Sequence, residues 1–258
     1  METGKEIRRT VVWLPVLGRF TRVSILGNRL KYDPTISLSD FTGLIILMIP
    51  GNPGNEQFYD HFGQEVLSKI SGMSEENSLF CTISHLNHVP MPREYSEMSI
   101  SNCTDRIPLA EQIKHKSNFC LQYLTKKTKL ILIGHSVGSY IMLRILPDLL
   151  KHEFSVVRCI ALFPTIERLA ESPNGERLLP WLKISHLDES LLHYSDRCRF
   201  LYGTDDRWSP LCYGLEMQKK LGKDLVIIDN KKCDHAFVLN HGEVVAHEVA
   251  NWIIECYG

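Results

Sequence analysis

Apolar and polar positions along the chain fall into two kinds of run. Leu44-Ile45-Ile46-Leu47-Met48-Ile49 and Leu130-Ile131-Leu132-Ile133 are short and apolar throughout, and residues 156–163 are apolar but for Arg158. That is the pattern of strands covered on both faces in a parallel sheet. Other stretches are apolar only every three or four positions. Phe58, Phe62, Val66 and Ile70 form one such stripe, and Ala110, Ile113, Ser117, Leu121 and Leu124 form another. Both predict helices that lay one face on a sheet. Helices are also predicted over 138–149, 212–221 and 243–256, a weaker strand over 79–84, a strand edge over 199–202 and a strand over 225–228. Two alternating runs, 11–16 and 21–26, flank Leu17-Gly18-Arg19-Phe20 and read as an N-terminal hairpin. Strands separated by helices require right-handed crossovers, so the expectation is an α/β chain with a mostly parallel central sheet between two helical layers.

No repeat or linker divides the sequence, and residues 1–258 are expected to form one domain. A proline-bearing connection spans 85–108. Residues 171–196 form the candidate insertion, in which Ser172-Pro173-Asn174-Gly175 interrupts the chain and 178–182 is a brief apolar patch, so any cap is reduced or absent. A net charge of -1 supplies no field to gather phosphate backbones, which argues against a nucleic-acid partner. The eight cysteines contain no C-x-x-C pair, and several lie in apolar runs, so no disulfide framework is expected. The apolar stretch 11–17 is too short for a signal peptide, and no window approaches the roughly 20 residues needed to cross a bilayer. A cytosolic or membrane-surface location is the default. The sequon Asn102-Cys103-Thr104 then has no route to a glycan.

The chemistry concentrates after the strand at 130–133. Gly134-His135-Ser136-Val137-Gly138 is a G-x-S-x-G between a buried strand and a helix. Glycines two before and two after leave room for a turn that raises the serine above the sheet. A serine there could simply cap the helix, but such a cap does not account for an acid and a histidine after later strands. Asp205-Asp206 follows the strand at 199–202, and His235 follows the strand at 225–228. This serine, acid, histidine order suits a nucleophile, an orienting carboxylate and a general base. Asp206 is the favoured acid, with Asp205 as the other choice. Asp234 reads as a turn residue. Among the eleven histidines, His85, His88, His115, His152, His186 and His193 lie in polar or connecting stretches, and His61, His241 and His247 in helical ones. His135 lies on the nucleophile turn itself.

Acyl transfer also needs donors for the oxygen that becomes negative. The amide of Val137, at a helix start, is one candidate. Gly51-Asn52-Pro53-Gly54 supplies the second; Pro53 has no N–H, so Asn52 is favoured and Gly54 held in reserve. That loop lacks the lysine and the serine or threonine of a phosphate-binding loop. No cofactor and no metal are needed for such chemistry.

Five stretches carry a resemblance to a known family. They are Ile49-Pro50-Gly51-Asn52-Pro53-Gly54 with Phe58-Tyr59, Leu132 through Tyr140 around the elbow, Leu162-Phe163-Pro164-Thr165 through Gly175, Tyr202 through Trp208, and Asp234 through Asn240. In these the chain resembles the lipid droplet-associated hydrolases, a branch of the α/β-hydrolase fold. The resemblance implies a nucleophile at Ser136, an acid at Asp206 and a base at His235. It also implies carboxylic-ester hydrolysis, with lipid or sterol esters as substrates, and peripheral attachment to lipid droplets or the endoplasmic reticulum. Members of that family usually carry a longer insertion than the 26 residues, 176–201, between the Gly175 and Tyr202 motifs here. The shorter connection implies a weaker hold on a lipid surface. A noncatalytic surface or adaptor protein that retains the fold, and an acyl thioesterase, are the alternative functions.

Overall fold

The computed structural model describes residues 6–27, 38–71, 77–97, 107–175 and 184–256. The sequon at 102–104 and the apolar patch at 178–182 lie outside the described residues. The strands are β1 (Arg8–Val16), β2 (Arg19–Gly27), β3 (Leu44–Ile49), β4 (Ser78–Ile83), β5 (Lys129–His135), β6 (Ser155–Leu162), β7 (Cys198–Tyr202) and β8 (Val226–Ile228). The helices are α1 (Asp60–Ile70), the single turn α2 (Arg93–Ser96), α3 (Leu109–Tyr123), α4 (Val137–Lys151), α5 (Leu211–Leu221), the short α6 (Phe237–Asn240) and α7 (Gly242–Ile254).

One eight-stranded sheet runs in the order β1-β2-β4-β3-β5-β6-β7-β8. From β4 to β8 every neighbouring pair is parallel, while β2 is antiparallel to both β1 and β4. This is the α/β-hydrolase arrangement expected from the sequence. β7 pairs on both sides, with β6 and β8, so the short run at 199–202 is an interior strand.

The period of two along each central strand divides the core into two layers. Ile45, Leu47 and Ile49 of β3 point into the layer that also holds Phe119 of α3, Met142 of α4 and Met217 of α5. Leu44, Ile46 and Met48 face α1 and α7, packing with Phe62, Val66, Val249 and Ile253. Each fully buried aliphatic of this kind contributes about 1.5 to 3 kcal/mol, which is why the all-apolar run has only one stable environment.

The helical stripes differ from the sequence expectation in two places. Phe58 is 41% exposed, because Glu56–Tyr59 is a 3-10 turn ahead of α1 and it is Tyr59 that turns inward. In α3 the predicted stripe is rotated. Ala110 and Leu121 are exposed while Ser117 and Leu124 are buried as expected, and the buried flank also takes in Gln112, His115, Lys116, Phe119 and Cys120. Gln112 and Lys116 sit on that flank with partners in the loop following β4, and His115 Nδ1 accepts from Lys116 Nζ at 3.1 Å. Gln112 spans the backbone of Leu86, accepting from its N–H at 3.0 Å and donating to its carbonyl at 3.1 Å. Lys116 Nζ donates to the Ser84 carbonyl at 2.8 Å.

Full burial pushes the Lys116 ammonium down to about 7. Below that value the lysine is protonated in both folded and unfolded chains, and the buried charge carries its whole desolvation cost. Between about 7 and the ordinary 10.5, the unfolded chain keeps a proton that the folded one has released, so stability rises with pH. Lys116→Met is therefore expected to stabilise the protein by about 1 to 4 kcal/mol near neutrality. The advantage should narrow as pH rises through that interval. The Ser84 carbonyl keeps a donor in the variant, from Thr21 Oγ1 at 3.1 Å. Urea unfolding at a series of pH values reads both the sign and the slope.

Candidate active site

Ser136 stands between the end of β5 and the first residue of α4, at φ 52° and ψ −124°. A positive φ at a residue with a Cβ costs on the order of 1 to 3 kcal/mol and persists only where the surroundings over-determine it. Here they do. A Cβ on Gly138 would lie 2.2 Å from the Ile49 carbonyl oxygen, and one on Gly134 would lie 2.5 Å from Ser139 Cα. The two glycines thus let α4 start directly against the ends of β3 and β5. Ser139 Oγ donates to the Gly134 carbonyl at 2.8 Å and closes the turn.

The turn lifts Ser136 to the carboxyl ends of the strands, where two loops converge on it. Ser136 Oγ donates to His235 Nε2 at 2.9 Å, and His235 Nδ1 donates to Asp206 Oδ2 at 2.6 Å. Asp206 is buried, while Asp205 and Asp234 are exposed. The other oxygen of Asp206 accepts from the amides of Trp208 at 2.7 Å and Ser209 at 3.0 Å, so the carboxylate cannot rotate away from the imidazole. Trp208 flanks the His235 ring, with centroids 5.9 Å apart. Asp234 pairs at 3.6 Å with His241 and takes no part.

The candidate oxyanion donors lie on the other side of the serine. A Cβ on Gly51 would come within 2.9 Å of Ser136 Cβ, so the loop after β3 is pressed against the nucleophile. Gly51 N–H donates to the Tyr59 hydroxyl at 2.8 Å, and Gly54 N–H to the Gly51 carbonyl at 2.7 Å. Pro53 has no N–H. That leaves the amide of Asn52 as the uncommitted donor of the loop among the described residues. Val137 opens α4, where a first-turn amide has no acceptor within its helix. Between them begins a narrow pocket lined by Val137, Ile107, Leu109 and Ile141 together with His85, His88 and Gln112.

Two histidines set aside in the sequence belong to this framework. His85 lies two residues beyond β4, itself a strand end, and is buried. Its N–H donates to the Gly54 carbonyl at 2.8 Å, and its ring backs Gly54 so closely that a Cβ there would come within 2.7 Å. His115 is buried on α3 instead of lying in a connecting stretch. Burial drives both rings well below the ordinary imidazole value, with the nearby Lys116 charge acting in the same direction.

The chain matches the family model for the lipid-droplet associated hydrolases over residues 42–194, more than half its length. The chain belongs to that family. The match takes in the loop of Asn52, the elbow and Thr165 but stops short of Asp206 and His235. Those two are placed at the site by the fold. The rat lipid droplet-associated hydrolase is 28% identical, with 87% of this chain and 90% of that protein covered. The human protein of the same name is 27% identical over 278 residues, covering 81% of this chain and 84% of its own. An aligned length above 258 with only 81% of this chain included means that the human protein carries segments absent here. Among solved structures, a fungal esterase from Rhizomucor miehei superposes with a TM-score of 0.55 at 10% identity, covering 98% of this chain and 84% of its own. The EstE1 carboxylesterase from a metagenomic library gives 0.54 at 14%, covering 100% and 91%. At these identities the likeness is one of fold.

As a lipid-droplet associated hydrolase with an alcohol, an imidazole and a carboxylate in one hydrogen-bonded line, the protein is a serine hydrolase. Two residues at its centre escaped the sequence reading of roles. Thr165 Oγ1 lies 3.1 Å from Ser136 Oγ, its N–H donating to the Ser136 carbonyl at 3.2 Å. Its only signal was membership of the Leu162–Gly175 phrase. Tyr59, beside Phe58 in another such phrase, reaches His135 Nδ1 at 2.7 Å. Among the described residues no helix is long and apolar enough to cross a membrane.

Proposed function

We propose that the protein is a single-domain esterase that cleaves carboxylic esters with apolar acyl groups through an acyl-enzyme on Ser136. The observation that carries this reading is the unbroken line from Ser136 Oγ through His235 to Asp206, with contacts of 2.9 and 2.6 Å. As Oγ attacks the ester carbonyl, His235 Nε2 takes its proton, and Asp206 stabilises the imidazolium formed. The new oxyanion is received by the amides of Asn52 and Val137, and the first-turn dipole of α4 favours the same charge. His235 then returns the proton to the departing alcohol. Water, deprotonated by the same imidazole, cleaves the acyl-enzyme and regenerates Ser136. Side chains supply every proton transfer and backbone amides the charge stabilisation.

The pocket beside Val137 offers Ile107, Leu109 and Ile141, which suits an alkyl chain over a charged group. Family membership supports lipid or sterol esters as the physiological class, met at the surface of a lipid droplet or the endoplasmic reticulum by peripheral attachment. A series of p-nitrophenyl esters of increasing acyl length, with one matched acyl thioester, tests the proposal. The expected result is turnover that rises with acyl length before falling and that favours the oxygen ester. Absence of turnover across the series, in protein whose Ser136 also resists fluorophosphonate, would favour a noncatalytic surface role. Preference for the thioester would make the enzyme a thioesterase.

A further inference from the structure

His135 and Tyr59 form a buried connection that the proposed reaction does not use. Gly51 N–H donates to the Tyr59 hydroxyl at 2.8 Å, that hydroxyl lies 2.7 Å from His135 Nδ1, and His135 Nε2 lies 2.8 Å from the backbone carbonyl of His235. The protons in this line can be arranged in only one way. A carbonyl oxygen can only accept, so His135 Nε2 carries the hydrogen. Burial, and next the neighbouring His235, hold the His135 ring down at about 3, so it is neutral and its Nδ1 is bare. Tyr59 must then donate to Nδ1 and accept from Gly51. Every donor and acceptor in the line is satisfied once.

The two ends are parts of the site that the sheet does not join. Gly51 begins the loop that presents the Asn52 amide after β3. His235 lies in the loop after β8, with β5, β6 and β7 between them in the sheet. His135 sits between the two at the tip of β5, next to the nucleophile. Its ring is held by Phe237 and Phe163, with centroids 5.0 and 6.4 Å away. A Cβ on Gly51 would lie 3.0 Å from His135 Nδ1, so little slack remains on that side.

Resting on the serine-hydrolase reading, we propose that Tyr59 and His135 are positioning residues: their hydrogen-bonded line fixes the oxyanion loop and the base loop relative to one another across Ser136. Neither side chain touches the ester. Tyr59 acts through the peptide that precedes the Asn52 amide, and His135 acts through the backbone of the base. A shift of either end moves a donor or an acceptor off the reacting atoms, and misplacement of about 1 Å costs on the order of 100-fold in rate.

The test uses the full chain and three variants. Tyr59→Phe removes one hydroxyl and breaks the line on the oxyanion side. In His135→Gln, the amide nitrogen can stand where Nε2 stood and keep the bond to the His235 carbonyl. In His135→Asn, the amide oxygen can stand where Nδ1 stood and keep the bond from Tyr59. The second-order rate of fluorophosphonate labelling at Ser136 is expected to fall about 10- to 100-fold in Tyr59→Phe. Its affinity for a boronic acid, whose adduct places a negative oxygen in the hole, should fall with it, while the affinity for a neutral substrate analogue stays within about twofold. Nitrogen-15 spectra of the histidine rings supply a readout that needs no chemistry at Ser136. The His135 Nδ1 signal should move to its unbonded position in Tyr59→Phe, and the His235 ring signals should shift in His135→Asn more than in His135→Gln. Labelling within twofold of the unaltered protein, or His235 signals that are the same in all three variants, would overturn the proposal. Failure of the unaltered protein to label would count against the esterase reading instead, and the nitrogen-15 comparison would still decide this one.

Discussion

Ser136→Ala is expected to abolish fluorophosphonate labelling and to lower ester turnover by about 10⁴-fold or more, leaving only what binding and the oxyanion donors achieve without a nucleophile. The loss should come with little change in stability. Ser136 Oγ meets two groups, His235 Nε2 at 2.9 Å and the buried Thr165 Oγ1 at 3.1 Å, and Ser136 and His235 are themselves half-buried, so water can reach the place Oγ leaves. The strained φ of 52° is set by backbone packing at Gly134 and Gly138, which alanine leaves in place. A change within about 1 kcal/mol by urea unfolding is therefore the expectation. The pair of measurements separates chemistry from folding: a stable, unlabelled variant marks Ser136 as the nucleophile. Equal labelling of both proteins would place the reactive group elsewhere.

Most of the sheet could be read from the chain because its central strands are apolar on both faces, and β3 has the predicted bounds of Leu44–Ile49. The elbow was legible for a different reason. Glycine at 134 and 138 is forced by backbone atoms 2.2 to 2.6 Å from where a Cβ would sit, and such a constraint leaves a fixed spacing in sequence. What the sequence hid was set by partners distant along the chain. Helix α3 buries Gln112 and Lys116 because Leu86 and Ser84 offer carbonyls and an amide to that flank, and no local periodicity records those groups. Tyr59 sits one position from the end of an expected apolar stripe, and its role depends on Gly51 and on His135, 76 residues away. The choice between Asp205 and Asp206 had the same character. It turns on which carboxylate meets the amides of Trp208 and Ser209, a matter of loop conformation.

Those two amides also determine what an isosteric change at Asp206 does. In Asp206→Asn the side-chain oxygen is expected to stay on the N–H groups of Trp208 and Ser209, because turning the amide over would point its NH₂ at two donors. The NH₂ must then face His235 Nδ1, now 2.6 Å from a carboxylate oxygen. A donor in that position requires a bare Nδ1, so the hydrogen of the neutral imidazole moves to Nε2. Nε2 is the atom that must accept the Ser136 proton. The variant thus keeps its fold and its loop while holding the base in the wrong tautomer, and kcat is expected to fall about 10⁴-fold at neutral pH with KM little changed. Asp205→Asn, altering an exposed neighbour, should leave kcat within about twofold. Steady-state kinetics on one p-nitrophenyl ester reads both. A loss below tenfold in Asp206→Asn, or an equal loss in the two variants, would mean that the carboxylate does not set the proton position on His235, and the assignment of the acid would fall.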